Sequence, residues 1–337
     1  MSFLSSTGFD RVRVNAVLPL GDVVSLIAGG ATLCIAGHED VLRQLPAGQW
    51  IGGTTPYVMT AAGGAKLDHQ HLFVTELGDL GETRVAHYGP DEMEKITANT
   101  PDGGFALTVI PAGSRCHERF AHDAANYPQA FLKPTFGWIA GHDLDQPGAS
   151  AKVFAGSGEA WSGDRAAVLH VALPEDVLPH LEFVNLFEPD RVETIRFHQT
   201  TFAPARAMVN GAEVDFADYV RSRGLEHGQL PLVGDYSGAY VNASLQEVEA
   251  ERVRLYAPVF PGVDYCFARP IGDYAEAFAE RLAQVPSQGT LFSCNCILNY
   301  QFGDLAGKAI GGFGGPITFG EIAFQLHNQT LIEVRLV

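Results

Sequence analysis

The chain has 337 residues, of which 46% are hydrophobic and 18% charged, and its formal net charge is −17 at pH 7. This length and composition predict a globular protein with one large domain or two closely packed ones, and they exclude a disordered chain. The negative charge argues against nucleic acid or anionic lipid as a partner, because binding to either requires a positively charged surface.

The N-terminus and the cysteines bear on the cellular compartment. Residues 1–15 lack the basic start and long apolar core of a signal peptide, and the sequence has no run of about 18 apolar residues that could cross a membrane. Five cysteines at irregular spacing do not suggest a disulfide framework. We therefore expect a cytoplasmic protein with no membrane partner, whose thiols are free or bind metal.

The first half of the chain, residues 1–188, is predicted to alternate between helices and strands. Hydrophobic runs predict strands over residues 33–37, 72–77, 105–111, 151–155 and 166–173, and helices are predicted over residues 23–28 and 91–96. Asp22 is the predicted N-cap of the first helix. Residues 126–138 are predicted to form a packing loop, and residues 174–186 to link the two halves.

Reactive side chains follow the strand at residues 105–111. Cys116 and His117 come just after this strand, which is where functional groups tend to lie in layered α/β folds. Adjacent residues on extended backbone point apart, so we do not expect these two to act as a pair. The position favours a functional role for His117 with a partner elsewhere.

The second half, residues 189–337, continues in the same way. Strands are predicted over residues 194–197, 239–243, 253–258, 290–292 and 330–337, and helices over residues 215–222 and 274–282, the latter capped by Asp273. Leu331, Glu333 and Arg335 alternate with apolar residues, which predicts one wet and one dry face for the last strand.

Several features recur in the same order near both ends of the chain. An apolar run ends in small residues, an Ile-Gly-Gly turn follows, and a histidine leads into a strand; Ile51 and His69 are 69 − 51 = 18 residues apart, and Ile310 and His327 are 327 − 310 = 17 apart. The pattern predicts an α/β fold with mixed sheets, made of two similar, closely packed halves that arose by internal duplication.

Short motifs resemble a known family over nearly the whole chain. The C-terminal half carries Val209-Asn210-Gly211, Tyr240-Val241-Asn242, Leu291-Phe292-Ser293-Cys294, Gly320-Glu321-Ile322 and His327-Asn328-Gln329-Thr330, and the N-terminal half carries Ile51-Gly52-Gly53-Thr54 and Val153-Phe154-Ala155-Gly156. This set resembles the FIST proteins, which are regarded as sensory domains for small ligands. The resemblance implies a FIST N-terminal-like domain over residues 1–188, a FIST C-terminal-like domain over residues 189–337, and a separate signalling protein as a partner.

The resemblance and the reactive residues at strand ends together predict a ligand pocket between the halves. Clefts between domains are common binding sites, and we expect an amino-acid-like or other polar metabolite there. The predicted lining residues are Gly52, Gly53, Thr54, Tyr57, His117, Trp138, Cys294, Asn295, Gly312, Phe313 and Glu321.

An enzyme that acts on a small polar substrate is the alternative. Cys294 would be the nucleophile, or Cys294 and Cys296 would bind metal with a histidine, while Glu321 would act as general acid or base. Buried, chemically inert thiols and a helix-start role for Glu321 are the structural alternatives. Phosphate-loop, dinucleotide-binding and serine-elbow motifs are absent from the sequence.

Metal and haem are further options. His69 and His71, two residues apart, could share one strand face as metal ligands, or they could be a solvated pair. Some FIST proteins are reported to bind haem through a histidine, so the resemblance also allows haem-based gas sensing. The sequence requires no cofactor, and an oligomer is compatible with it.

Overall fold

The computed structural model describes residues 14–158, 160–285 and 289–337. The chain has the predicted α/β fold with several mixed sheets. Its elements follow one another in three runs of similar order, which we call the first, second and third run. The expectation that no signal peptide is present rests on residues 1–13 and lies outside the described residues.

The first run begins with a strand and a helix. It comprises β1 (Asn15–Pro19), α1 (Leu20–Ala28), β2 (Leu33–Gly37), α2 (Glu39–Leu42), β3 (Trp50–Thr54), β4 (Tyr57–Thr60), β5 (Gly63–Lys66) and β6 (His71–Glu76). The second run comprises β7 (Thr83–Tyr88), α3 (Lys95–Ala98), β8 (Gly104–Pro111), α4 (Arg115–Asp123), β9 (Thr135–Ala140), β10 (Val153–Ala155), β11 (Trp161–Ser162) and β12 (Ala166–Ala172).

The third run carries a large insertion between its first strand and its first helix. The run comprises β13 (Pro179–Asn185), then the insertion, then α6 (Tyr274–Leu282), β22 (Thr290–Cys296), α7 (Ile297–Phe302), β23 (Gly315–Thr318), β24 (Glu321–Ala323), β25 (Gln325–His327) and β26 (Thr330–Leu336). The insertion comprises β14 (Ile195–Arg196), β15 (Arg206–Val209), β16 (Ala212–Asp215), α5 (Phe216–Ser222), β17 (Leu232–Tyr236), β18 (Ala239–Ala243), β19 (Leu245–Val248), β20 (Val253–Leu255) and β21 (Asp264–Phe267).

The same strand order occurs in three six-stranded sheets. The first sheet has the order β1-β6-β2-β3-β10-β11, the second β7-β12-β8-β9-β24-β25, and the third β13-β26-β22-β23-β4-β5. In each sheet the third and fourth strands are parallel and the other neighbours are antiparallel. A fourth six-stranded sheet, β16-β15-β14-β21-β17-β18, is wholly antiparallel and lies within the insertion.

The last two strands of each sheet come from another run. The hairpin β4–β5 of the first run completes the third sheet, β10–β11 of the second run completes the first sheet, and β24–β25 of the third run completes the second sheet. The three runs are therefore tied together in a closed cycle. Two of the three sheets combine strands from both sides of the predicted boundary at residue 188.

One central hydrophobic cluster joins the three sheets. It contains side chains from each of them, including Ile51, Leu107 and Ile332. The helices of each run cover a separate cluster: α1 and α2 on the first sheet, α3 and α4 on the second, and α6 and α7 on the third. Each sheet is therefore buried on both faces, which explains its continuous apolar strands.

Several local predictions are confirmed by this fold. α5 and α6 span the predicted residues within one position, and their caps are Asp215 and Asp273, each of which accepts a backbone N–H three residues on. The strands predicted at residues 105–111 and 239–243 are β8 and β18. These elements are specified by local periodicity and by local hydrogen bonds.

Other local predictions are wrong. α1 begins at Leu20 with Pro19 at its N-cap, so Asp22 lies within the first turn and does not cap it. The predicted helix at residues 91–96 is a short 3-10 turn followed by α3. The predicted loop at residues 126–138 and the predicted link at residues 174–186 contain β9 and β13.

The last strand also differs from its prediction. Residues 330–334 of β26 are all buried, because β26 lies between β13 and β22 inside a sheet that is covered on both faces. The alternating Glu333 is therefore not on a wet face. The internal duplication stays a prediction, as does the boundary at residue 188; the recurring unit in the structure is a strand order, found three times. Within the described ranges, no helix is both long and apolar enough to cross a bilayer.

Candidate functional site

The predicted site residues do not converge on one pocket. Most of them lie in the sealed centre between the three sheets, and the others lie at four separate places nearer the surface. The central set is Gly52, Gly53, Thr54, Trp138, Cys294, Asn295 and Glu321, all of them buried, and the buried Cys296 lies beside it under the helices of the third sheet.

Glu321 begins β24, a strand and not a helix, so the helix-start interpretation is wrong. Its carboxyl group is fully buried. Oε1 accepts a hydrogen bond from the Thr318 hydroxyl at 3.2 Å, and Oε2 accepts one from the Thr330 amide at 3.4 Å. Burial raises the pKa of Glu321 well above its usual value, which favours the neutral acid.

The two C-terminal thiols are equally enclosed. Cys294 packs in the central cluster, and Cys296 packs in the helix-covered cluster of the third sheet. Burial raises the pKa of both thiols well above the usual value, and the nearby carboxyl group of Glu321 raises it further. A nucleophilic cysteine requires the opposite shift and access to substrate. These properties favour buried, inert thiols over a nucleophile or a metal pair.

Asn295 lies between the two cysteines in sequence, and its side chain makes local hydrogen bonds at the end of β22. Its Oδ1 accepts hydrogen bonds from the Cys296 amide at 2.8 Å and from Nδ2 of Asn299 at 2.9 Å. These bonds fix the turn from β22 into α7.

The N-terminal members of the central set pack closely. A Cβ atom on Gly53 would come within 2.8 Å of Val109 and 3.0 Å of Trp138, and one on Gly52 would meet the Ile35 carbonyl oxygen at 2.2 Å. The Thr54 hydroxyl donates to the Gly141 carbonyl at 2.5 Å. The glycines therefore permit close approach of strands, and leave no room for a ligand there.

Tyr57, Gly312 and Phe313 lie apart from this centre. The Tyr57 hydroxyl donates to Asp143 at 3.3 Å and accepts the Leu144 amide at 3.0 Å. Gly312 is exposed, with a positive φ of 84°, and Phe313 packs in the cluster of the third sheet. Neither residue of this turn lines the two clefts described below.

His69 and His71 are bound to different carboxylates. Nδ1 of His69 lies 2.8 Å from Asp40, and Nδ1 of His71 lies 2.7 Å from Asp68. Among the described residues, three potential metal-ligating side chains converge at His38, Asp40 and His69, without His71 and without the cysteines.

His117 is the predicted residue that lines an open cleft. The cleft has a volume of about 920 Å³ and lies between residues 112–151 of the second run and residues 202–256 of the insertion. Ser114 is the N-cap of α4, and its hydroxyl accepts a hydrogen bond from the His117 amide at 3.1 Å. The backbone at Cys116 and His117, expected to be extended, is thus helical, which buries Cys116 and puts His117 in the cleft wall.

The imidazole of His117 has one satisfied nitrogen. Nδ1 accepts a hydrogen bond from the Gly113 amide at 3.2 Å, whereas Nε2 is buried without a hydrogen-bond partner. Burial lowers the pKa of His117 to about 4, so the ring is neutral at physiological pH. With Nδ1 acting as acceptor, the proton is on Nε2. The wall thus holds a buried N–H donor that lacks an acceptor.

The cleft carries more positive than negative side chains. Arg115, Arg252 and Arg254 line it, and Glu118 is the one acidic lining residue. Glu249 forms ion pairs with both arginines of the insertion: its Oε2 lies 2.7 Å from Nε of Arg252, and its Oε1 lies 3.5 Å from Nη1 of Arg254. The arginines offer N–H donors to an anion, while Glu249, Glu247 and Asp91 offset part of their charge.

The sequence analysis missed the insertion side of this cleft. On that side, Phe202 approaches His117 edge to face, with ring centroids 6.3 Å apart. Phe319, from the third run, also lines the cleft, and its ring centroid lies 4.9 Å from that of His142. One signal was present in the sequence. Arg252 and Arg254 alternate with buried Val253 and Leu255, which puts both guanidinium groups on one side of β20.

A second cleft, of about 680 Å³, lies between α6, β18 and the hairpin β24–β25. Its walls are mainly aromatic and aliphatic, including Phe131, Phe183 and Phe324. His327 lines it, but its Nε2 is already 3.1 Å from the Ala323 carbonyl oxygen. It therefore offers a ligand no free Nε2 donor from His327, although Glu280, Arg281 and Gln284 also line it.

Comparison with known proteins identifies the family of the chain. The family described as "Family of unknown function (DUF6976)" matches residues 18–337. The chain therefore belongs to the DUF6976 family. No curated protein matches the sequence.

Proposed function

We propose that this member of the DUF6976 family binds a small anionic metabolite in the cleft between residues 112–151 and 202–256. The observation that carries the proposal is the N–H donor at Nε2 of His117, buried and unpaired in the cleft wall. A buried donor without an acceptor costs about 1 to 3 kcal/mol. An oxygen atom of a bound ligand would recover that free energy.

The charges of the lining residues support an anionic ligand. Arg252 and Arg254 stand on the insertion side and His117 stands on the opposite wall, so a carboxylate or phosphate can be contacted from two sides. Glu118 offers an acceptor for an amine, which is compatible with an amino-acid-like ligand. A volume of about 920 Å³ suits a metabolite of ordinary size.

We further propose a sensory role in the cytoplasm, with a separate signalling protein as partner. The two cleft walls come from different parts of the chain, so a bound ligand would change how the insertion packs against the second sheet. The resemblance to FIST proteins suggested the same role, and both remain proposals.

The test is ligand binding by the untagged protein. Thermal shift and calorimetry would compare dicarboxylates, phosphosugars and amino acids with neutral polyols of similar size. His117→Phe keeps a ring and removes the Nε2 donor, together with the Nδ1 acceptor of the exposed Gly113 amide. It should weaken binding roughly 10- to 100-fold and change the stability of the unliganded protein little, because water can replace the lost acceptor. Either a panel without any stabilising anion or an unaffected His117→Phe variant would refute the proposal.

His122→Phe is the matched control. His122 also contacts Phe202, here by stacking with ring centroids 5.4 Å apart, and its Nε2 is also buried without a hydrogen-bond partner, but it does not line the cleft. This variant should bind the ligand as the wild type does. If it loses affinity as His117→Phe does, the effect comes from packing on Phe202 and the cleft is not the site.

A further inference from the structure

We propose that His38, Asp40 and His69 form a binding site for a divalent transition-metal ion of the Zn²⁺ class. One potential ligand atom from each of the three side chains lies within 4.8 Å of the other two. His38 follows β2, Asp40 lies in α2, and His69 precedes β6, so the fold brings together residues that are 31 positions apart.

His38 is already oriented as a metal-binding histidine would be. Its side chain is buried, and its Nε2 lies 2.9 Å from the Leu67 carbonyl oxygen. Because a carbonyl can only accept, the proton of the neutral ring is on Nε2, and the lone pair is left on Nδ1. Metal-bound histidines commonly donate their second nitrogen to a carbonyl in this way.

His69 stacks on His38, with ring centroids 4.0 Å apart. Its Nδ1 lies 2.8 Å from Oδ2 of Asp40. The side chains of His69 and Asp40 are both more than half exposed, so they can turn toward an ion, and water can fill the remaining coordination positions of that ion. The adjacent Glu39 is paired with Arg43 and Lys152 and is not available as a ligand.

The donor set selects the class of metal. Two imidazole nitrogens and one carboxylate suit Zn²⁺, Cu²⁺ or Ni²⁺, whereas Mg²⁺ and Ca²⁺ prefer sites made of oxygen atoms alone. The site is distinct from the anion cleft, since none of the three residues lines that cleft.

His71 provides a matched control two residues away. It contacts Asp68 at 2.7 Å, much as His69 contacts Asp40, and it is also exposed, but it is not part of the three-residue group. A general effect of removing a surface histidine would therefore appear in His71→Ala as well.

The experiment is calorimetric titration of the untagged full chain with ZnCl₂ and, separately, with MgCl₂. We expect one Zn²⁺ per chain and no comparable binding of Mg²⁺. Asp40→Asn and His69→Ala should each weaken Zn²⁺ binding at least about tenfold, the lower end of the effect of removing even an outer-shell partner, and His71→Ala should leave it unchanged. The proposal is overturned by absent Zn²⁺ binding, by equal loss in His71→Ala, or by unchanged binding in both Asp40→Asn and His69→Ala.

His38→Gln tests the buried ligand. If this variant folds, its Zn²⁺ affinity should also fall; a folded variant with wild-type affinity would exclude His38. If His38→Gln does not fold, the test rests on Asp40→Asn and His69→Ala, which change exposed side chains. The readout involves no metabolite, so its outcome is separate from that of the proposed anion binding.

Discussion

Replacing Glu321 with glutamine should make the protein more stable at neutral and alkaline pH, and not less. The carboxyl group is fully buried among Thr318, Thr330 and two thiols, with no basic group among its hydrogen-bond partners. Burial raises its pKa, so the folded protein holds a proton there that the unfolded chain releases at lower pH.

The sign and slope of the effect follow from this proton. An unfolded glutamate has a pKa of about 4.3. Below that pH both states are protonated, and the stabilisation is fully present. As the pH rises from there toward the folded pKa, the unfolded state loses its proton first, and stability falls by about 1.4 kcal/mol per pH unit. Glutamine has nearly the same shape and cannot ionise.

Chemical unfolding of wild type and Glu321→Gln across the pH range from about 3.5 to 8, which begins below the unfolded pKa, measures the difference. At the acidic end the variant should be less stable by roughly 1 kcal/mol, since an amide NH₂ group replaces one of the two carboxyl oxygens that accept hydrogen bonds. The difference should change sign as the pH rises. Glu251→Gln, at an exposed surface position, is the control and should give a flat plot. A flat plot for Glu321→Gln would show that the buried carboxyl group is not held neutral.

Three further results are expected. Gly53→Ala should lower the free energy of unfolding, measured in urea, by roughly 1 to 3 kcal/mol, because its Cβ would meet Val109 at 2.8 Å. Gly21→Ala, with open space around the new Cβ, should leave this free energy unchanged or raise it. Asp273→Ala should cost about 1 kcal/mol through loss of the α6 cap, and Asp22→Ala should cost less, since Asp22 makes no capping bond. In the folded protein iodoacetamide should modify Cys266 first, because it is the one cysteine of the five that is not buried; earlier modification of Cys34 or Cys294 would contradict the sealed centre.

Elements governed by local interactions could be predicted from the sequence. The helix at residues 274–282 has its apolar stripe and its Asp273 cap within one short segment, and both are present in the structure. The strand at residues 105–111 has an equally local signal, a β-branched apolar run that ends at a proline. Nothing distant is needed to specify such elements.

Features governed by long-range pairing could not be predicted. The alternation of Leu331, Glu333 and Arg335 is typical of a half-exposed strand, but β13 and β22 flank β26 and a helix layer covers its sheet. The hairpin exchange cannot be read from local periodicity, since the three residues Glu321–Ala323 of β24 do not specify whether the strand pairs with β9 or with β23. Tertiary context therefore decided the burial of Glu333.

The hairpin exchange also explains where function is to be expected. Because every sheet is completed by a hairpin from another run, the centre is closed by all three runs at once, and the reactive residue types found there serve packing. The insertion is outside this cycle, with a sheet and a hydrophobic cluster of its own. It meets the second run through residues such as Phe202, which packs on the cluster that α4 covers. The proposed ligand, held between His117 and the insertion residues Arg252 and Arg254, would contact both sides of that junction.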